Sequence, residues 1–383
     1  MNLLKGTPEQ KELLRKMGSA NKTESWEAQE AIAKFITAPV LQAIQEASLA
    51  PLVYKDLEFD EDDSPTIPLD LYYNENYKGL FSIWTSTMSD GLATNLVDVP
   101  TKELQVQMYD AKSAISFNRK HALKGRLNVL SDSMLRMTQE FVTLQNTNSF
   151  NPLMAAAATG AVLRGKPVAF GTSNSKKNVI RSVGSTLQMK DFSDLINHHK
   201  KLNISQFGGT PVNYRGLNGY KMFVSYDVMG QIREFSFNGV RSDSSVSTSN
   251  TTNLPESERE KIFASAGTSS LFGIEIIELA EFGLSNSFNT LFDTYSGTNQ
   301  YERADGTNAS AFTGSSDEIL LLVDANSNAF RRCVSINPDN NSQLIVLPDD
   351  QFTARSKKLG FYAEMTESWV VLDSRKCVGL MLG

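Results

Sequence analysis

The stretch LNVLSDSMLRMTQEFVTLQNTNSF, residues 127–150, decides the fold of this chain. Its apolar side chains recur at spacings of three and four residues, the pattern of one continuous stripe down an α-helix about 36 Å long. The stripe consists of Leu127, Leu130, Met134, Met137, Phe141 and Leu144. Pro152 follows as the predicted end of the helix. We therefore expect the stripe to be the core-facing side of the longest regular element.

A strand-like segment precedes this helix. Within residues 99–117, Leu104, Val106 and Met108 alternate with polar residues, which is the period of two expected of a half-buried strand. A strand leading into one long helix is a structural framework, and this one carries no recognisable catalytic motif. The function therefore has to be sought in surfaces and assembly.

The composition is that of an ordinary folded chain. It has 383 residues, 40% of them hydrophobic and 21% charged, which suits one large domain or two to three modest ones with a real core. The net charge of −6 argues against a nucleic-acid binder, since neutralising phosphates takes a basic face, but it does not exclude a protein that encloses nucleic acid.

The sequence shows no export signal and no membrane-spanning stretch. The sequence from Met1 has no basic segment leading into an apolar run, and no stretch of about 18 apolar residues occurs, so neither export nor a membrane is expected. Without export, Cys333 and Cys377 are expected to be two reduced thiols.

The opening residues predict two helices. Thr7 is a hydroxyl N-cap, a proline takes the first helical position, and Gln10 is placed to reach back to the cap. A second helix is expected from near Glu24 to Pro39. Residues 1–50 are thus predicted to form a helical arm that is too thin to fold around a core of its own.

Residues 51–112 are predicted to be extended, with acidic residues at 60–63 that suit a solvated loop or edge strand. The part from 72 to 100 carries many large apolar groups on what we interpret as a long hairpin or loop. Such groups need a partner surface, on another subunit or on their own. The candidates for contacts between subunits are Tyr72, Tyr73, Phe81 and Trp84.

The remainder predicts an α+β fold. Residues 189–202 have the pattern of an amphipathic helix, residues 222–232 that of a strand running into a helix, and residues 273–279 that of a strand. Polar segments at 242–253 and 296–316 are expected to be surface loops. Five strand-like runs close the chain, at 318–324, 329–336, 343–348, 360–373 and 376–382, and they must pair with earlier strands.

No catalytic or metal-binding pattern stands out. His198 and His199 are adjacent, so on a helix they point about 100° apart and do not chelate, and we expect them on an exposed side. Residues 171–177 lack the order of a phosphate-binding loop. Asp349 and Asp350 suit a turn better than an acid–base pair. We predict no enzyme, no cofactor and no metal, the alternative being an active site assembled from scattered positions.

The order of elements resembles a known family: helical arm, aromatic-rich loop, strand, long helix, α+β domain and closing sheet. It is similar to the major capsid protein of a tailed bacteriophage, the Hong Kong 97-type fold also used by encapsulins and the herpesvirus capsid floor. The matching segments include ITAPVLQAIQEASLAPLVYKDLEF (36–59), the run from 99 to 141, and the closing block from 317 to 382 with its basic pair, Asp-rich turn and aromatic strand.

This resemblance implies a division of the chain. Residues 1–50 would be the N-arm, and residues 51–112 would hold an extended strand and the E-loop. Residues 113–187 with 350–383 would form the peripheral domain around the spine helix. Residues 188–349 would be the axial domain, whose loops meet at the five- and six-fold axes.

The resemblance also implies the function. The chain would self-assemble into pentamers and hexamers of an icosahedral shell that encloses double-stranded DNA without binding it specifically, inside a virion assembled in the host cytoplasm. Its partners would be other copies of itself, a separate scaffold, a portal and decoration proteins, with no membrane. The alternatives are an encapsulin-like nanocompartment shell and another phage structural protein, such as a tail component.

Overall fold

A computed structural model describes residues 7–60, 65–68, 103–159, 162–163, 166–167, 178–202, 219–235, 240–241, 251–252, 255–257, 259–260, 268–304, 306, 309–337, 342–349 and 357–383. Helices and strands are mixed along the chain, so the α+β class is confirmed. The chain forms two compact units. The first unit consists of Met1–Pro65, Val106–Ser149 and Arg331–Val370, and the second consists of Thr66–Gln105, Phe150–Phe330 and Val371–Gly383.

The helices, in chain order, are α1 (Pro8–Met17), α2 (Lys22–Ala47), α3 (Ala50–Val53), α4 (Arg119–Leu123), α5 (Leu127–Thr159), α6 (Met189–Leu202), α7 (Tyr226–Glu234) and α8 (Ser287–Ser296), with a 3-10 turn at Ser374–Lys376. The strands are β1 (Lys55–Asp60), β2 (Thr66–Pro68), β3 (Glu103–Gln105), β4 (Tyr109–Asn118), β5 (Val162–Leu163), β6 (Lys166–Pro167), β7 (Val179–Arg181), β8 (Tyr220–Val224), β9 (Val240–Arg241), β10 (Thr251–Thr252), β11 (Thr268–Leu271), β12 (Ile274–Glu278), β13 (Gln300–Tyr301), β14 (Ser310–Ala311), β15 (Glu318–Asp324), β16 (Phe330–Ile336), β17 (Ile345–Asp349), β18 (Lys358–Val371) and β19 (Cys377–Leu382).

The first unit is a helical layer packed on one sheet. Four of its strands follow the order β1-β16-β18-β17, in which β1 is parallel to β16 and β17 is antiparallel to β18. The fifth strand, β4, also pairs antiparallel with β18. Alternate residues of β18, such as Phe361 and Met365, face the helices because side chains on a strand alternate between its faces. The core joins them to Leu14 of α1, Ile36 of α2 and Met137 of α5. The N-terminal helices therefore pack on the sheet of their own chain.

The predicted stripe on α5 is only partly the buried side. Leu130, Met134 and Met137 are each 1% exposed and Phe141 is 2% exposed, whereas Leu144 is 44% exposed. The prediction for Leu144 is therefore wrong. A strict seven-residue repeat drifts by about 20° per repeat relative to a straight α-helix, so the core-facing position moves on by one residue. Gln145 occupies that position and is 1% exposed. The side chain of Leu127 lies outside the described residues.

Two prolines lie inside helices that were predicted to end at them. α5 has 33 residues and contains Pro152, and α2 has 26 residues and contains Pro39. Beyond Pro152 the apolar side of α5 continues with the fully buried Leu153 and Met154. A proline inside a helix costs about 3 kcal/mol, which the burial of two such side chains offsets.

The second unit has a six-stranded sheet with helices on both faces. The strand order is β11-β12-β8-β15-β19-β7, and every residue of the central strand β15 is buried. On one face, α6 and α7 contribute Phe192 and Met229 to the core. On the other face, Phe150 at the start of this unit's part of α5 stacks on Phe288 of α8 at 4.5 Å and meets Phe223 of β8 at 5.2 Å.

The closing strands lie close to their predicted positions and pair with earlier strands, as expected. β15 is antiparallel to β8, β16 is parallel to β1, β18 is antiparallel to β4, and β19 is parallel to β7. The last part of the sequence thus completes the sheet of each unit.

Candidate functional site

A buried polar cluster in the first unit ties α5 to the sheet. The guanidinium of Arg332 donates to Oε2 of Glu367 from Nε at 3.1 Å and from Nη2 at 2.9 Å. Gln145 of α5 donates to the same oxygen at 3.0 Å. Asp56 accepts from Nη1 of Arg332 at 3.4 Å, and the guanidinium lies 5.2 Å from the ring centre of Trp369.

The cluster is structural in character. The side chains of Arg332 and Glu367 are only 5% and 3% exposed. Burial raises the pKa of Glu367, while the charge of Arg332 and the hydrogen bonds from Arg332 and Gln145 oppose that rise. With so little exposed surface, the carboxylate has no access for a substrate. The cluster helps to fix the position of α5 along the sheet, because sliding the helix would break the hydrogen bond from Gln145 to Glu367 and leave a buried amide without this partner.

Sequence reasoning missed this cluster, although a signal was present. Arg331 and Arg332 stand in an otherwise apolar strand-like run, and a buried charge there requires a partner. The prediction did not identify that partner, which is Glu367 on the neighbouring part of the sheet.

The opposite face of the same sheet carries an exposed polar network. Nζ of Lys112 lies 3.1 Å from Asp110 and 3.0 Å from Glu364. Thr366 donates to Asp110 at 2.8 Å, and Tyr362 donates to Glu364 at 2.8 Å. The hydrogen bonds to Glu364 and Asp110 raise the pKa of Lys112, and those from Thr366 and Lys112 lower the pKa of Asp110. These are solvated ion pairs that keep this face of the sheet polar.

The predicted aromatic loop is anchored by a short strand pair. β2 and β3 are antiparallel, with Ile67 opposite Leu104 and Pro68 opposite Glu103. Ile67 is buried. Pro68 and Glu103, the described residues on either side of 69–102, are therefore neighbours. The four contact candidates, Tyr72, Tyr73, Phe81 and Trp84, lie outside the described residues.

His199 corrects another expectation. It was expected on an exposed side of α6, but it is 2% exposed, and its ring meets that of Tyr220 edge-on at 4.9 Å. Burial, together with the charges of Lys376, His198 and Lys200, lowers the pKa of His199 to about 3. Neutral imidazole is the form that a low-polarity interior favours. His199 is a core residue of the second unit.

The described residues hold no cluster of metal ligands and no exposed cysteine. No cluster of three or more His, Cys, Asp or Glu side chains able to hold a metal ion occurs in the described ranges. Cys333 and Cys377 are free and buried, and burial raises their thiol pKa values to about 11 and about 12. Neutral buried thiols are poor nucleophiles. No described helix has the length and apolar character that crossing a membrane requires.

No protein-family model matches the chain, and no curated protein matches its sequence. Solved structures do match. The capsid of cyanophage Pam1 matches with a TM-score of 0.46 and 10% identity, over 86% of this chain and 88% of that chain. The mature capsid of bacteriophage PhiM1 matches with a TM-score of 0.44 and 8% identity, over 88% of this chain and 87% of that chain. The encapsulin of the holo-SrpI complex from Synechococcus elongatus matches with a TM-score of 0.36 and 10% identity, over 73% of this chain and 75% of that chain.

Two of these matched structures are phage capsids and the third is an encapsulin complex. At such scores and identities, the similarities decide neither the family nor the activity of this chain.

Proposed function

We propose that this chain is a major capsid protein of the tailed-phage type. It would self-assemble into pentamers and hexamers of an icosahedral shell that encloses double-stranded DNA. The observation that carries the proposal is the pairing of β2 with β3, the two strands that flank residues 69–102 in the sequence. This segment bears the aromatic candidates Tyr72, Tyr73, Phe81 and Trp84, and the described residues hold no cluster of metal ligands.

Such a segment suits assembly because extended chain laid over a neighbour buries more surface per residue than two compact faces do. Large aromatic side chains are the usual anchors of such contacts. Many moderate contacts, repeated around a closed symmetric lattice, give a stable container while single errors still dissociate. In this proposal, assembly is the function.

The sheets of the two units support the same role. The closing strands complete both sheets, and the Arg332–Glu367 cluster holds α5 to one of them. A subunit that must present the same surfaces in every position of a shell needs a well-defined fold. Loops and extended segments then supply the variation between positions.

The charge of the chain fits enclosure of DNA. With a net charge of −6, the subunit does not neutralise phosphates, so DNA would be cargo that is touched only weakly. A container that gripped the duplex would oppose its entry. The partners in this proposal are other copies of the chain, a separate scaffold, a portal and decoration proteins. The protein would assemble in the host cytoplasm and remain in the virion.

Negative-stain microscopy of the full chain, expressed alone and together with the products of neighbouring genes, tests the proposal. Closed icosahedral particles are the expected result. Rods or rings would indicate a tail component, and closed particles filled with a protein cargo would indicate an encapsulin-like compartment. A discrete small oligomer under both conditions would contradict the proposal and would favour an enzyme with a scattered active site.

A further inference from the structure

The hairpin of β11 and β12 has an unusual turn. Phe272 and Gly273 connect the two strands, with φ angles of 54° and 79°. Glycine and asparagine suit such a left-handed two-residue turn, whereas a bulky side chain rarely adopts it because its Cβ crowds the backbone. A phenylalanine at this position is a backbone outlier. Outliers of this kind cluster at functional positions.

The ring of Phe272 is also exposed. It is 50% exposed, and its neighbours Ser270 and Gly273 are exposed as well. On one side the ring meets the fully buried Phe192 of α6, with 5.9 Å between ring centres. The core thus orients the ring, and its other side faces solvent. An aromatic group held in this way loses little further freedom when it binds a partner.

The hairpin around Phe272 carries no charge of its own. The segment 267–274 contains no ionisable side chain, and β11 is the first strand of its sheet among the described strands. Edge strands are commonly protected by charged residues or proline, which this one lacks. The nearest charges on the adjoining strands, Glu275 and Lys221, pair with each other at 3.5 Å.

This neutrality points to the identity of the partner. Two copies that each carry a net charge of −6 repel, so a contact between identical chains is favoured where the surface is uncharged. We propose that the β11–β12 hairpin is a contact between copies of this chain, in which the exposed side of Phe272 packs against a second copy. The inference rests on the proposed assembly function and names one surface that would carry it.

The variant Phe272→Asn tests whether Phe272 serves as a contact between subunits or as a core residue of its own subunit. Asparagine tolerates the left-handed turn, so the isolated subunit keeps or gains thermal stability, while association by light scattering requires a subunit concentration about ten-fold higher or more. Ser285→Asn is the matched control. Ser285 is exposed with a φ of 60°, so this variant relieves the same kind of backbone conformation without removing an aromatic ring, and it associates like wild type.

A thiol probe provides a second measurement. Because Cys333 and Cys377 are buried, Phe272→Cys introduces an accessible thiol at this turn. A small amount of Phe272→Cys is co-assembled with excess wild type. The thiol is expected to react readily with a maleimide in the free subunit. In particles it is expected to react at least ten-fold more slowly, because the contact buries it.

Equal reactivity in both states overturns the contact, as does a Phe272→Asn subunit that is less stable yet associates normally. Wild-type chain that never associates would instead overturn the proposed function and this inference with it.

Discussion

Phe141 and Leu144 lie one turn apart on α5 and differ sharply in burial, at 2% and 44% exposed. We predict that Phe141→Asp prevents folding, because a charge placed in this core costs several kcal/mol. Leu144→Asp changes the free energy of unfolding by no more than about 0.5 kcal/mol, as surface substitutions do. Urea unfolding followed by circular dichroism measures both. A soluble and cooperatively unfolding Phe141→Asp chain would show that this side of α5 is not core.

His199 predicts a dependence of stability on pH. The unfolded chain protonates this histidine near its ordinary pKa of 6.5, whereas burial keeps it neutral in the folded chain down to about 3. Its contribution is therefore fully present above pH 6.5 and is lost as the pH falls toward 3, by about 1.4 kcal/mol per pH unit. Urea unfolding at several pH values is expected to show this loss in wild type and in the control His198→Gln. A His199→Gln variant with the same acid loss would contradict the assignment.

These two residues also show where the sequence was insufficient. The spacing of the stripe on α5 fits a seven-residue repeat as well as a straight helix, and the two patterns diverge only at its end, near Leu144. His199 stands in the polar run His198–Lys201, which resembles a solvated surface. Its burial against Tyr220 depends on a strand that the helix pattern does not reveal.

At the scale of elements, Arg119 holds the junction of the first two helices. Its Nε donates to the carbonyl oxygen of Gly18 at 2.8 Å, and its Nη2 donates to that of Ser19. We predict that Arg119→Ala lowers the free energy of unfolding by about 2 kcal/mol, since two charge-assisted hydrogen bonds are lost. Denaturant titration measures the change. The neighbouring exposed Lys120→Ala is expected to stay within about 0.5 kcal/mol, and equal effects of both variants would refute a specific role for Arg119.

Helix starts and strands were predictable because their signals are local. The cap at Thr7 is present with both hydrogen bonds to Gln10, as the sequence predicted, and the apolar run 318–324 is strand β15. Helix ends were less predictable. The sequence predicts helix ends at Pro39 and Pro152, but both helices continue past them. Burial of the helix face beyond a proline offsets its cost, and only the tertiary structure decides that burial.

At the scale of the whole molecule, the sequence predicted which segment would contact other subunits, but it did not predict where the side chains of that segment lie. The strand-like pattern around Leu104 was visible in the sequence, whereas its pairing with β2 was not predicted. A contact between subunits depends on a second copy, which the pattern of one chain does not specify. The roles of Tyr72, Tyr73, Phe81 and Trp84 therefore stay a prediction.

Trp84 gives the test of that prediction. A residue that clamps a neighbour matters to the shell and hardly at all to the lone subunit. Trp84→Ala is expected to leave secondary structure and solubility near wild type while lowering particle yield or particle thermal stability, at about 2 kcal/mol or more per contact. The control Ser247→Ala is expected to change neither property. If Trp84→Ala unfolds the subunit while surviving shells keep their stability, the loop packs on its own chain.

Sedimentation velocity of the full chain tests the central claim of shell assembly most directly. Closed assembly from many moderate contacts predicts two boundaries above a threshold concentration, one of free subunit and one of large uniform particles, with little material between them. The measurement is made on chain expressed alone and with the products of neighbouring genes. A single boundary of a small oligomer at every concentration, in both preparations, would contradict the account.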